Sequence, residues 1–222
     1  YTNGISVGRT VTIEGNGYII NGLRSVRTFN VNHATLILKN LIINDCYSYS
    51  NGGSIYLNSN ANLELYNVTF TNNSGEWGGA IYGIKNNKII IENSNFNGND
   101  AFYGGSIYLN ASTIQIVSTL FNDSESMFMG GAIGIENSNL IIDDSNFNSC
   151  ISIESTGGAI YSIKTGISLS NTNFTDCVAQ IGGSIAQLNN TLNIENCNFI
   201  DNSADHYGGA IYNIYSNLNI YQ

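Results

Sequence analysis

The sequence predicts an all-β fold, a right-handed single-stranded parallel β-helix with about 26 residues and three short strands in each coil. Three observations predict this solenoid. Pairs of glycines recur every 25 to 27 residues, a phenylalanine recurs with the same period, and apolar residues alternate with polar ones between them. A fixed period of this size indicates units that are too small to fold alone and that bury their apolar faces against one another.

The glycine pairs mark one corner of each coil. They belong to a GGAI or GGSI motif, of which GGAIY at 78 to 82 is one copy. Glycine accepts a positive φ and lets backbones approach closely, and the Ala or Ser that follows indicates a crowded position. The first glycines of the pairs are Gly52, Gly78, Gly104, Gly130, Gly157, Gly182 and Gly208.

Alternating apolar residues predict the strands. Leu63 and Leu65 alternate, a two-residue corner follows, and then Val68 and Phe70 alternate. Period two is a strand signal. Six units share this register, and a third short strand follows the glycine pair, with Ile55 and Leu57 as the clearest example. Stacked parallel strands are joined by crossovers that are almost always right-handed. The repeating phenylalanines are Phe70, Phe96, Phe121, Phe147, Phe174 and Phe199.

We expect one domain over residues 1–222. Residues 1–51 form less regular opening coils, and residues 52–222 form the regular GG(A/S)I repeats. The last coil stops part-way, so its open edge is expected to continue into further sequence or to be covered by another molecule.

Composition excludes several classes of function. The 222 residues are 42% hydrophobic and only 10% charged, with 24 glycines, no proline and many asparagines, which disfavours long helices. The net charge is −9 and there is no basic run, so nucleic acid is not an expected partner. Apolar runs are too short to cross a bilayer, so no direct membrane insertion is expected in this segment. No cofactor is predicted.

A Phe-x-x-Asn column accompanies the phenylalanines and predicts a structural corner. Asn73, Asn99 and Asn202 tolerate corner geometry and can stack amide on amide, although a sugar-binding stripe is the functional alternative. Cysteines share the column, and Cys150 and Cys177 fall on adjacent coils, within disulfide range. Free thiols are favoured over a bridge. Without a C-x-x-C pair, and with distant histidines, no metal site is predicted.

Tyrosines that follow the glycine motif are the candidate binding residues. If their rings face outward, they form an aromatic column that can stack on sugar rings or pack against a protein partner. The alternative is that the rings simply cover the strand surface or point partly inward. The column contains Tyr56, Tyr82, Tyr108, Tyr161 and Tyr212, with Gly134 and Ala186 as gaps.

Asn-x-Ser/Thr sequons are candidate glycosylation sites of an exported chain. They begin at Asn67, Asn72, Asn110, Asn122, Asn173 and Asn189.

Polysaccharide cleavage is the enzymatic alternative, because pectate lyases and polygalacturonases are also built from stacked β-coils. Those reactions need convergent carboxylates, or calcium-bound carboxylates with a basic residue. Asp143 and Asp144 are neighbours, but equivalent corners carry other residues, and His33 and His206 have no evident shared site. We therefore predict no catalytic residues.

The alternation of GGAI or GGSI with FTNN (70 to 73), FNGN (96 to 99) and FIDN (199 to 202) resembles the repeat of chlamydial polymorphic outer-membrane proteins. The opening VTIEGNGYIINGLRSVRTFNV and LKNLIINDC are similar to adhesin-like surface proteins of methanogenic archaea. These resemblances imply a parallel β-helix on the cell surface that acts in adhesion or display without catalysis. A carbohydrate or a cell-surface protein is the expected partner. A filament that self-associates through open coil ends is the alternative.

Overall fold

The computed structural model describes residues 4–222 as a β-solenoid of stacked coils in which every strand pairing is parallel, and it contains no helix in that range. Three sheets run along the solenoid. Sheet A has 9 strands, sheet B has 15 and sheet C has 6. The predicted fold class and period are confirmed.

Sheet A contains the strands that follow the glycine pairs and their equivalents in the opening coils. These strands are Ile5–Val7, Phe29–Asn32, Ile55–Asn58, Ile81–Ile84, Ile107–Asn110, Ile133–Glu136, Ile160–Ile163, Ile185–Leu188 and Ile211–Ile214.

Sheet B contains the two predicted stretches of alternating residues. Its strands are Val11–Glu14, Ile19–Asn21, Thr35–Asn44, Asn62–Thr71, Lys88–Glu92, Asn95–Asn97, Thr113–Val117, Leu120–Asn122, Asn139–Asp143, Asn146–Asn148, Gly166–Ser170, Asn173–Thr175, Thr191–Glu195, Asn198–Ile200 and Asn217–Tyr221.

Sheet C lies between the phenylalanine strand and the next glycine pair. The sequence pattern predicts three strands per coil, and sheet C adds a fourth. Its inward residues are small, such as Gly75, Ala101 and Ser126, so they give no apolar alternation. The strands are Ser74–Trp77, Asp100–Tyr103, Glu125–Met129, Ile151–Ser152, Val178–Ile181 and Ser203–Tyr207.

The core consists of columns of equivalent residues. Leu63, Leu65, Val68 and Phe70 are fully buried, as predicted for their strand. The phenylalanine rings stack on one another along the axis with centroids 4.7 to 5.0 Å apart and planes within 8° of parallel. Each ring therefore packs mainly against its own equivalents.

Each glycine pair is fixed by two different constraints. The first glycine has a positive φ, for example 65° at Gly78. The second has no room for a side chain, because a Cβ at Gly79 would lie 2.2 Å from the carbonyl oxygen of Gly105 and 2.5 Å from that of Asp100. The corner thus brings each strand of sheet C close to the backbone of the glycine pair in the preceding coil.

The remaining corners also contain residues of positive φ, one at some corners and two in succession at others, as at Ser59 and Asn60. Asn67 has a φ of 56° and Asn93 one of 49°. The Oγ atom of the next inward residue, Ser94, accepts the backbone N–H of Val68 in the preceding coil at 3.2 Å. Asn and Ser recur at these corners because asparagine tolerates this conformation and a short polar side chain satisfies a corner N–H.

The Phe-x-x-Asn column is an inward, buried cap of this kind. Asn73 Oδ1 accepts the backbone N–H of Cys46, and its Nδ2 donates to the carbonyl of Ile43 and to Asn99 Oδ1. Asn99 is fully buried. The column is structural, and it is too buried to form a sugar-binding stripe.

Thiols replace amides in three coils of this column, at Cys46, Cys150 and Cys177. Cys150 Sγ and Cys177 Sγ lie 3.9 and 3.7 Å from the carbonyls of Phe121 and Phe147, the same class of acceptor that the asparagines use. Both cysteines are fully buried, and all four cysteines of the chain carry free thiols. Burial raises the pKa of Cys150. These thiols pack as small apolar groups.

We expect Phe147→Ala to lower the free energy of unfolding by about 3 to 5 kcal/mol, because its ring is fully buried between Phe121 and Phe174. Chemical and thermal denaturation followed by circular dichroism measures this. Phe102→Ala is the control, since that ring is 49% exposed and should cost far less. Equal melting temperatures for Phe147→Ala and the wild type would show that the ring column does not hold the coils together.

We expect Gly79→Ala to lower the free energy of unfolding by about 1 to 3 kcal/mol or more, because its Cβ would overlap two backbone oxygens. The same denaturation experiment applies. Gly166→Ala is the matched control, because the nearest atom to a Cβ there is Asn139 Oδ1 at 3.4 Å, and it should stay within about 0.5 kcal/mol of the wild type. Equal losses for both variants would contradict the steric argument.

Candidate functional site

The candidate tyrosines lie in one column on the outer face of sheet A. Tyr56, Tyr82 and Tyr108 occupy successive coils in register, between the inward Ile and Leu positions. Gly134 and Ala186 fill the same column, as predicted. The rings of Tyr56 and Tyr82 stack at 5.4 Å, and those of Tyr82 and Tyr108 stack at 6.0 Å. The strand register therefore places the tyrosine rings on the outer face of sheet A.

Other side chains cover much of this tyrosine column. Tyr108 is 4% exposed and Tyr161 is 8% exposed, whereas Tyr56, Tyr82 and Tyr212 are half-buried. Trp77 of sheet C packs edge-on against Tyr108 at 4.6 Å. The rings lie along the strand surface and leave little free aromatic face for a ligand.

Tyr108 is also held by its hydroxyl group, which donates to Glu136 Oε1 at 2.7 Å. Its ring extends over Gly134, where a Cβ would lie 2.8 Å from Cδ2 of the tyrosine. Burial first, and then the hydrogen bond to Glu136, raise the pKa of Tyr108 far above its ordinary value. The gap at Gly134 therefore accommodates the neighbouring ring, which is a structural role.

A buried arginine supports the first ring of the tyrosine column. Arg27 is 6% exposed, and its guanidinium lies 5.1 Å from the centroid of the Tyr56 ring. Nε donates to the carbonyl of Gly52, and Nη2 donates to Ser48 Oγ and to the carbonyl of Asn51. Burial lowers the pKa of Arg27. With these contacts the guanidinium joins the opening coils to the regular repeats.

The predicted sequons fall into two groups. Asn67, Asn72 and Asn189 are exposed at corners of positive φ. The other three are half-buried in strands, and Asn122 and Asn173 donate their amides to Asn97 and Asn146 of the preceding coils. Glycosylation stays a prediction, and the three exposed corners are the sites that a transferase could reach.

Asp143 and Asp144, the carboxylates considered for catalysis, accept hydrogen bonds from different partners. Asp143 accepts hydrogen bonds from Ser170 Oγ and Asn171 Nδ2, and these bonds lower its pKa. Asp144 accepts one from Ser118 Oγ. Within residues 4–222, no three His, Cys, Asp or Glu side chains are placed together to hold a metal ion. Their contacts give these two carboxylates a structural role at the corners.

Sheet C carries a concave surface that the sequence did not predict. We call it the axial groove. It encloses about 320 Å³ and crosses five successive coils on the outer face of the sheet. Because coils lie about 4.8 Å apart, the groove is about 19 Å long. The residues that define it are Tyr47, Tyr49, Glu76, Asp100, Phe102, Glu125, Met127 and Ile153.

Aromatic and aliphatic side chains form the apolar part of the axial groove. Tyr49 is 84% exposed, Phe102 49% and Ile153 44%. The rings of Tyr47 and Tyr49 meet edge to face at 4.8 Å. Exposed apolar side chains that are grouped in a concave surface are typical of a binding site.

Three carboxylates form the polar part of the axial groove. Asp100 and Glu125 occupy adjacent coils in register, and Glu76 lies in the neighbouring outer position. Ser74 Oγ donates to Asp100 Oδ2 at 2.8 Å. The one ion pair among residues 4–222 joins Arg24 to Asp45, and it includes none of the three groove carboxylates. The lining of the groove therefore contains three carboxylates and no lysine or arginine, and the buried guanidinium of Arg27 donates a hydrogen bond to Ser48, which also lines the groove.

The sequence resemblance to a known repeat is confirmed in two stretches. Residues 67–84 and 196–214 match the family model of the Chlamydia polymorphic membrane protein repeat. Each stretch contains one Phe-x-x-Asn corner and one GGAI corner, so the match falls on the residues that turn the coil. Comparison with curated proteins and with solved structures gave no match. The resemblance to archaeal adhesin-like proteins stays a prediction.

No helix in residues 4–222 combines the length and the apolar character needed to cross a membrane.

We expect the stability of the protein to fall as the pH rises above about 10, where unfolded tyrosines ionise, because the folded state holds Tyr108 protonated. The stabilisation that the raised pKa of Tyr108 provides is complete below about pH 10 and is lost as the pH rises further. Tyr108→Phe should therefore reduce the fall, measured as the free energy of unfolding between about pH 8 and pH 11. Tyr49→Phe is the control, because its ring is 84% exposed. An identical fall in wild type and Tyr108→Phe would contradict the assignment.

Proposed function

We propose that the chain is a non-enzymatic, rod-like display segment of a cell-surface protein and that it binds a partner through the axial groove. The observation that carries this proposal is the groove itself. It groups Tyr49, Phe102 and Ile153, all more than a third exposed, in one concavity that crosses five coils. A continuous apolar concavity on a polar surface is typical of an interaction site.

The fold supports a mechanical role. Equivalent strands pair without interruption along the chain, as in the run of sheet A from Phe29 through Ile55 and Ile81 to Ile211. Because each coil is hydrogen-bonded to the next through three sheets, the stack resists bending and holds its surface features at fixed distances. Such a segment can carry a binding surface away from its attachment point.

The repeat similarity supports a location at the cell surface. The family that residues 67–84 and 196–214 match is described as a membrane protein of Chlamydia. A surface-exposed repeat protein fits both that match and the solenoid fold. The exposed sequons at Asn67, Asn72 and Asn189 are compatible with an exported chain.

The axial groove is favoured over the tyrosine column as the binding surface. Tyr108 and Tyr161 are nearly inaccessible, whereas the rings of the groove are open to solvent. The positions of Asp143 and Asp144, each engaged by hydroxyl or amide groups of neighbouring coils, favour binding over polysaccharide cleavage.

We expect the immobilised segment to bind members of an array of glycans, polysaccharides and short peptides, and we expect binding to be lost when Tyr49 and Phe102 are both changed to Ser. The two substitutions remove two exposed rings against which a ligand could bury apolar area. The matched control changes Tyr56 and Tyr82 to Ser, which alters two half-buried rings of the tyrosine column.

Circular dichroism must show the solenoid intact in both variants. Binding that survives the groove variant and disappears in the tyrosine-column control would transfer the binding role to sheet A. If the folded wild type binds no member of the array, the display segment has no adhesive role of its own, and the proposal fails.

A further inference from the structure

The axial groove combines like charges, and none of its carboxylates forms an ion pair within the described residues. Asp100 and Glu125 are in-register neighbours on adjacent coils, so their Cα atoms are about 5 Å apart. Like charges directly opposite one another on neighbouring strands destabilise a sheet. The strands of sheet C contain no lysine or arginine. A cationic ligand would relieve this repulsion.

The apolar residues of the groove suit the hydrocarbon part of a cationic side chain. Tyr47, Tyr49 and Phe102 present aromatic rings beside the carboxylates, and Met127 adds a flexible apolar contact. Lysine and arginine pack their methylene stems on apolar surfaces while their charged ends reach polar groups. An aromatic face also attracts a cation directly. The apolar residues of the groove therefore match the methylene stem of a lysine or arginine side chain, and the carboxylates match its charged end.

We propose that the axial groove binds an extended segment of a partner protein that bears lysine or arginine at alternate positions. This inference rests on the proposed display function and specifies the chemistry of its partner. The groove is about 19 Å long, which accommodates about six residues of extended chain at 3.3 Å per residue. Alternate residues of such a segment point the same way, so several cations can face the carboxylates together.

Neutral and anionic ligands fit the groove less well. A neutral sugar can stack on Tyr49 and Phe102, but it leaves the charges of Asp100 and Glu125 without a counterion. An anionic polymer would be repelled by these carboxylates and by the net charge of −9. The charge of the groove thus selects among ligands that its shape alone would admit.

The test uses fluorescence anisotropy with a labelled hexapeptide of alternating lysine and leucine, a matched peptide with glutamine in place of lysine, and unlabelled cellohexaose as a competitor. We expect the lysine peptide to bind, the glutamine peptide to bind at least about tenfold more weakly, and binding to weaken when salt is raised from about 50 to about 300 mM. Cellohexaose should not displace the lysine peptide.

Two variants locate the effect. Asp100→Asn combined with Glu125→Gln removes two charges from the groove without changing side-chain volume, and it should weaken the lysine peptide about tenfold. Asp176→Asn combined with Asp201→Asn removes two charges at exposed corners outside the groove, where asparagine also accepts the positive φ, and it should leave binding unchanged.

Absence of binding by the lysine peptide, or equal weakening in both charge variants, overturns the inference. If instead the glutamine peptide or cellohexaose binds as tightly as the lysine peptide, and the Tyr49 and Phe102 serine variant abolishes it, the proposed display function stands and only the cationic ligand is wrong.

Discussion

The stacking of each residue on its own equivalent in the next coil is the constraint on which the whole structure depends. Ile55 pairs with Ile81, Ile81 with Ile107 and Ile107 with Ile133, so a position in the repeat is also a column along the axis. A residue therefore has to be compatible with a copy of itself about 4.8 Å away. Phenylalanine meets this requirement by parallel stacking, and asparagine meets it by amide-to-amide hydrogen bonds.

The composition of the chain follows from the corners that this stacking requires. A coil of about 26 residues turns several times, and each turn places a residue at positive φ, a conformation that costs about 1 to 2 kcal/mol for most side chains and less for glycine or asparagine. Every turn also exposes backbone N–H groups that the core cannot leave unpaired. Inward Ser, Thr and Asn side chains accept these N–H groups from the preceding coil, as Ser145 does for Thr119. The abundance of Asn and Gly thus follows from the corners of the coil.

The sequence predicts the columns that face the core, because a buried column repeats its residue type. The phenylalanine column, the glycine pairs, the inward Leu and Ile of sheet B, and Ile55 and Leu57 of sheet A were predicted and lie where they were expected. Sheet C was not predicted, since its inward residues, such as Ala101 and Ser126, are small and carry no apolar signal. The sequence also did not predict the burial of Tyr108, because Trp77, which packs against its ring, belongs to the unpredicted sheet C.

The small inward residues that left sheet C unpredicted let its backbone lie close to the glycine corners. This close contact makes the sheet a suitable support for a binding surface. The backbone of Asp100 lies against the glycine corner, where a Cβ at Gly79 would be 2.5 Å from its carbonyl oxygen. Sheet C is therefore positioned largely by backbone contacts and needs few large inward side chains. Its outward residues do not follow the repeat. Equivalent outward positions in successive coils are occupied by Tyr47, Ser74, Asp100 and Glu125. A rigid backbone under a variable surface reduces the entropy that ordering a binding site would cost. The groove thus lies on the sheet whose outward side chains differ from one coil to the next.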